Sequence, residues 1–236
     1  MGEEKGYPKF LRDTAVTQVD ENTWEAKLTD GWSIGGVANG GYSMATAARA
    51  LAEALDHKDP LSITGHYLSR VEPGEVLLEI EKLNIGRSVS TALLKFIQEG
   101  EERIRFTSCF TDFSKSNGDT HREVEAPDFP PIEECIYMPY KQGFTPVLEK
   151  QIDRRFAPYS NWWDEERPRS RASLDAYYAW PGGEAIDLFS VIFFLDTMSP
   201  PIFNRLGSRG WVPSLELTVH LKQLPCSGPL KMRGKT

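Results

Sequence analysis

The stretch from Trp32 to Arg49, WSIGGVANGGYSMATAAR, most constrains what this chain can become. It opens with paired glycines, Gly35-Gly36 and Gly40-Gly41, around Asn39. It then continues through Ser43, Ala45, Thr46, Ala47, Ala48, Ala50, Ala52 and Ala54. Alanine is the strongest helix former, and no proline falls between Trp32 and Asp59. The pattern predicts a helix entered through Asn39-Gly40-Gly41 and running to about Asp56. So few large side chains suit a helix lying very close to a sheet, where small residues let two backbones approach. The residues that follow are rich in β-branched and aromatic side chains, so the expected architecture is α+β, a sheet curled around a slender helix.

The flanking segments supply that sheet. Thr14 to Asp20 and Thr23 to Leu28 read as short strands joined at Glu21-Asn22. After the helix, Leu61 to Val71 is strand-like and closes on the turn Glu72-Pro73-Gly74. Val76, Leu78 and Ile80 alternate with Leu77, Glu79 and Glu81, a period of two. Val89 to Gln98 and Arg103 to Phe113 follow, joined by a hairpin at Glu99-Gly100-Glu101. Short connections imply antiparallel neighbours, which defines a unit over about residues 10–114.

From Ser114 to about Arg171 the character changes. Pro127, Pro130, Pro131, Pro139 and Pro146 interrupt any period. Yet Phe129, Tyr137, Tyr140, Phe144, Phe156, Tyr159, Trp162 and Trp163 make the segment too aromatic for a free tether. Residues 115–171 therefore read as a linker laid along a folded surface. Ala172 to Trp180 is strand-like, and Ala185 to Met198 reads as a buried helix interrupted only by Asp187 and Asp196.

An internal repeat organises these pieces. Pro60-Leu61-Ser62 through His66-Tyr67-Leu68 lines up with Pro213-Ser214-Leu215 through Val219-His220-Leu221. Each copy places a helix before the strand and a proline turn after it. In this register the second copy, residues 172–236, reaches only the position equivalent to Lys82. Counterparts of the strands at Val89 to Phe113 are then missing, so the second repeat is expected to be C-terminally incomplete.

Composition excludes several function classes. A formal charge of −7 argues against a nucleic-acid backbone as partner. The three cysteines, Cys109, Cys135 and Cys226, show no CxxC pair or zinc spacing, so no metal is expected. No run approaches the roughly 20 apolar residues of a membrane span, and MGEEKGYPKF lacks the apolar core of a secretory signal. The expected location is the cytoplasm. GGVANGG is neither a dinucleotide fingerprint nor a Walker A loop, and no G-x-S-x-G elbow occurs.

The segments GGVANGGYSMATAARAL, HYLSRVEPGEVLLEIEKLNIGRSVST, TSCFTDF, LDTMSPP and WVPSLELTVHLKQLP together resemble the acyl-CoA thioesterase II group and the related thioesterase-like proteins. Their fold is a tandem, or double, hotdog. The resemblance implies hydrolysis of an acyl-CoA substrate by an activated water, without a cofactor or metal. It places the general base at Asp196 and a water-sharing hydroxyl at Ser214. The family's glutamine lies on a strand without a counterpart here. Substrate contacts are expected at Asn39, Gly40, Gly41, Tyr42 and His66, with Asn39-Gly40-Gly41 beside the thioester carbonyl. The residues alone leave other roles open: a helix cap for Asn39-Gly40-Gly41, backbone satisfaction for Asp196, a turn for Ser214, and core or interface positions for His66 and His220. Loss of part of the site would leave a non-catalytic acyl-CoA-binding or assembly protein. Exposed sheet edges make a homo-oligomer the expected state.

Overall fold

A computed structural model describes residues 5–116, 118–119, 121, 123–143, 145–166, 171–208, 210 and 212–236. Phe144 and Trp211 therefore lie outside the described residues. The chain begins with α1 (Gly6–Asp13), followed by β1 (Thr17–Asp20), β2 (Thr23–Leu28), β3 (Ser33–Ile34) and β4 (Val37–Ala38). Next come α2 (Gly40–Ala54), β5 (Asp59–Tyr67), β6 (Gly74–Ile85), β7 (Ser90–Gln98) and β8 (Glu101–Thr111). The second part holds β9 (Asp153–Phe156), β10 (Ser173–Ala179), α3 (Leu188–Leu195), α4 (Phe203–Leu206), β11 (Glu216–His220) and β12 (Leu230–Lys235).

The larger sheet has seven strands in the order β1-β2-β6-β7-β8-β5-β11, every neighbouring pair antiparallel. Its tightest turn joins β7 to β8, where Glu99 and Gly100 have φ of 54° and 77°. Two consecutive left-handed residues are the hairpin geometry that matches strand twist. The sheet curls around α2, whose residues from Gly41 to Ala48 are all buried. Leu78, Leu94, Phe96 and Phe106 close over them with no exposed surface. Small side chains on α2 leave room for these large ones.

Strand β11 comes from the second repeat but pairs with β5 of the first, Thr218 facing Thr64 and His220 facing Ser62. This is how two copies of a helix-plus-sheet unit join. A smaller sheet has the order β12-β10-β9, matching β6-β2-β1. Among the described residues no strands stand between β11 and β12 where β8 and β7 would have counterparts, as the repeat register predicts.

Helices α2 and α3 run antiparallel at the centre. Gly41 at the start of α2 binds Asp196 at the end of α3, while Arg49 lies 3.4 Å from Asp187 at the start of α3. The halves share one core. Trp32 meets Phe193 edge-on with ring centroids 5.2 Å apart, and Phe10 of α1 lies 5.5 Å from Trp32.

Three local expectations change. Residues 6–13, which carried no element in the sequence reading, form α1. It is anchored by buried Asp13, which accepts hydrogen bonds from Lys9, Arg12, Thr29 and Trp32. The long buried helix at 185–198 is shorter: Asp187 caps it by accepting from the Ser190 amide, and the helix ends before Asp196. The aromatic stretch from 115 to 171 contributes β9, which pairs with β10 through Phe156↔Ala176. A four-residue strand broken by two arginines carries too little alternation to be read in advance.

Candidate active site

Asn39, Gly40, Asp196 and Ser214 converge on a cavity of about 910 Å³ between the start of α2, the ends of β5 and α3, and the loop before β11. Asn39 is the N-cap of α2, its side-chain oxygen accepting from the Tyr42 amide at 3.0 Å. That bond fixes the amide orientation, so Nδ2 points away and donates to Asp196 Oδ2 at 2.9 Å. The Gly41 amide donates to the same oxygen at 2.9 Å. Ser214 Oγ donates to the other oxygen, Oδ1, at 2.9 Å. Ser214 is placed by an extension of sheet pairing, the Tyr67 amide donating to the Leu215 carbonyl at 2.9 Å.

Two glycines make this approach possible. A Cβ on Gly41 would sit 2.8 Å from both Asp196 Cβ and the Phe193 carbonyl. A Cβ on Gly40 would sit 2.9 Å from Asp196 Oδ2 and 3.0 Å from the Tyr67 ring. At Gly41, where the contacts include backbone, any larger residue would drive the two helix ends apart.

The electrostatics are a balance. Burial raises the proton affinity of Asp196, while the Gly41 amide, Ser214, Asn39 and the Gly40 amide act the other way, and the net shift is upward. The carboxylate also sits at the positive end of α2. It is thus more basic than an ordinary aspartate and held by donors that keep it oriented, which is what a general base toward water requires.

Tyr42 and His66 are corrected as substrate contacts. Tyr42 is fully buried beside Trp32, and its hydroxyl donates to the Asp13 carbonyl. It supports the site only through its amide. His66 is exposed opposite Glu216 and does not line the cavity. Successive strand residues face opposite ways, so the neighbour, Tyr67, is the one that reaches the site. Its hydroxyl donates to the Gly40 carbonyl at 2.9 Å. Burial, and then the nearby Asp196 charge, push its pKa well above the usual tyrosine value. Tyr67 and Ser43 were missed as lining residues, although strand alternation from Ile63 and Gly65 pointed to position 67.

Among the described residues, no group of three or more His, Cys, Asp or Glu is placed to hold a metal ion. No helix among them is long and apolar enough to cross a membrane.

The antiparallel sheets wrapped on α2 and α3 define the class: a tandem, or double, hotdog. The comparisons place the chain within it: residues 28–111 match the acyl-CoA thioesterase N-terminal domain and residues 131–236 the C-terminal domain. The chain belongs to the acyl-CoA thioesterase family.

A proposed thioesterase II from Thermobifida fusca superposes with a TM-score of 0.86 and 27% identity, over 95% of this chain and 84% of that one. A hotdog protein from Alicyclobacillus acidocaldarius, at 20% identity, superposes with a TM-score of 0.77 over 91% of this chain and 79% of that one, a likeness of fold. In sequence, the thioesterase-like protein TwmA of Talaromyces wortmannii is 34% identical over 39% of this chain, and the match spans only 27% of its own length.

Proposed function

We propose that this chain hydrolyses acyl-CoA thioesters to a carboxylic acid and coenzyme A. The observation that carries the reading is Asp196: a carboxylate of raised basicity, bonded to Ser214, Asn39 and Gly41 at the wall of an acyl-sized cavity. A water held between Asp196 Oδ1 and Ser214 Oγ attacks the thioester carbonyl carbon and gives its proton to Asp196. The carbonyl oxygen takes up the electron pair facing the positive end of α2. When the tetrahedral intermediate collapses, the C–S bond breaks and the thiolate recovers the proton from Asp196.

Ellman detection of released thiol over a panel of acyl-CoAs tests this, with Asp196→Asn as the decisive variant. Asparagine preserves the shape: its oxygen still accepts from Gly41 and Asn39, and its NH₂ donates to Ser214. It cannot take a proton, so turnover should fall by about 10²–10⁴-fold, the usual contribution of a general base. Undiminished turnover in Asp196→Asn would refute the role.

One observation favours a second reading, binding without turnover. Asp196 already accepts three side-chain and backbone donors, so a water must compete for its remaining lone-pair directions. Tight acyl-CoA binding by the wild type without thiol release would establish it. We also expect self-association through the exposed edge strand β1, all four residues of which are exposed; light scattering at the mass of a single chain would exclude it.

A further inference from the structure

The segment between the repeats has no part in the chemistry proposed above, yet it builds much of the cavity. Met138, Pro146, Leu148 and Trp162 all line it. The lining also has a direction. Leu148, Trp162 and Phe203 are 1%, 6% and 7% exposed, and the Trp162 and Phe203 rings meet with centroids 5.3 Å apart. At the other extreme Leu68 and Leu215 are 61% and 76% exposed, and Arg70 is exposed beside them. The phosphates of coenzyme A cannot leave water without a large cost. With the thioester at Asp196, its headgroup must therefore extend toward Arg70 and the acyl group toward the buried aromatic end.

We infer that Met138, Pro146, Leu148 and Trp162 form the wall that selects the acyl group, and that Trp162 against Phe203 sets its length limit. This rests on the acyl-CoA reading above. The class selected is the unsubstituted aliphatic chain. A short acyl group leaves the apolar end unfilled, while each further methylene buried is worth about a fourfold gain. A chain ending in a carboxylate meets Glu149, which lines the same cavity and is ion-paired with buried Arg154. Arg154 is itself buried and is not among the residues lining the cavity, so a charged acyl end meets an acidic side chain there and no lining cation.

The test uses non-hydrolysable thioether analogues of acyl-CoA, from butyryl to tetradecanoyl, with succinyl for the charged class, and reads binding by calorimetry. In the wild type, affinity should rise about fourfold per methylene to a break point and then stop rising, with the succinyl analogue weaker than butyryl. Trp162→Leu should move the break to longer chains. Met138→Trp, at a half-buried lining position, should move it to shorter ones. If Trp162→Leu fails to fold by circular dichroism, Met138→Trp decides alone. Affinity independent of chain length, or a break unmoved in the folded variants, overturns the inference. Binding with the expected ladder but no thiol release from true thioesters refutes hydrolysis and leaves the wall standing.

Discussion

Substituting Gly41 by alanine separates a close-contact site from an ordinary helix start. In a helix interior, alanine is favoured over glycine by about 1 kcal/mol, and Gly41 carries no positive φ. On local grounds the substitution should therefore stabilise. The structure predicts the reverse, because the new Cβ lies 2.8 Å from Asp196 Cβ and from the Phe193 carbonyl, against an ordinary contact of 3.4 Å or more. Both neighbours are anchored to the α3 backbone, so neither can rotate away. Relief requires the end of α3 to retreat by about 0.6 Å (3.4 − 2.8), stretching the Gly41 amide bond to Asp196. Overpacking of this kind costs about 1–3 kcal/mol. Taking the upper part of that range less the propensity gain leaves a net loss of about 2 kcal/mol, or roughly 4–8 °C in Tm for a chain of this size.

Catalysis should suffer more than stability, since an error approaching 1 Å at a reacting group costs on the order of 10²-fold. Gly40→Ala is the companion. Its clashes are with the Asp196 carboxylate oxygen and the Tyr67 ring, side-chain atoms that can turn. It should therefore lower kcat at least tenfold with a smaller change in Tm. Differential scanning calorimetry and thiol-release kinetics measure both. A Gly41→Ala protein as stable and as active as the wild type would refute the claim that the two helix ends touch at this glycine.

Because burial leaves Asp196 with a pKa above its ordinary 3.8, the acid limb of kcat/KM should lie above that ordinary value, and a limb at or below it would contradict the base assignment. The stability linkage has the matching sign. A raised pKa means that keeping Asp196 ionised costs stability as pH rises through that pKa, so the Tm advantage of Asp196→Asn should be largest near neutrality and vanish in acid. Arg70 is the one cation among the described residues lining the cavity. Arg70→Ala should raise KM for acyl-CoA about two- to fivefold while leaving KM for the matching acyl-pantetheine, which lacks the nucleotide phosphates, unchanged. An equal rise for both would place Arg70 outside the headgroup path.

The helix at Gly40–Ala54 was legible because its signals are local and agree: an asparagine cap, two glycines, a run dominated by small residues and no proline. The four strands after it run nine residues or more each, long enough to survive any error at their ends, and the second carries a period of two through Ile80. Helix α1 was not legible for the opposite reason. GYPKFLRD places a proline and a glycine in eight residues, and what holds it is distant: Asp13 bonded to Thr29 and Trp32, and Phe10 packed on Trp32 and Phe193. Tertiary packing decides such an element, and local propensity has little to say about it.

The site divides along the same line. Asp196 and Ser214 are eighteen residues apart in sequence, and Asn39 is 157 residues from Asp196. Each had a plausible local role that would have ended the matter: a helix end, a turn, a cap. The structure keeps the local role and adds the distant one. Asn39 caps α2 with its oxygen and holds Asp196 with its nitrogen, so the capping bond is what aims the bond to Asp196. His66 shows where motif and geometry part. Titratable chemistry drew notice to it, but the pleat turns each strand residue opposite to the next, and the pairing of β5 with β11 commits position 66 to the outer face. Tyr67, on the inner face, is the residue that lines the cavity.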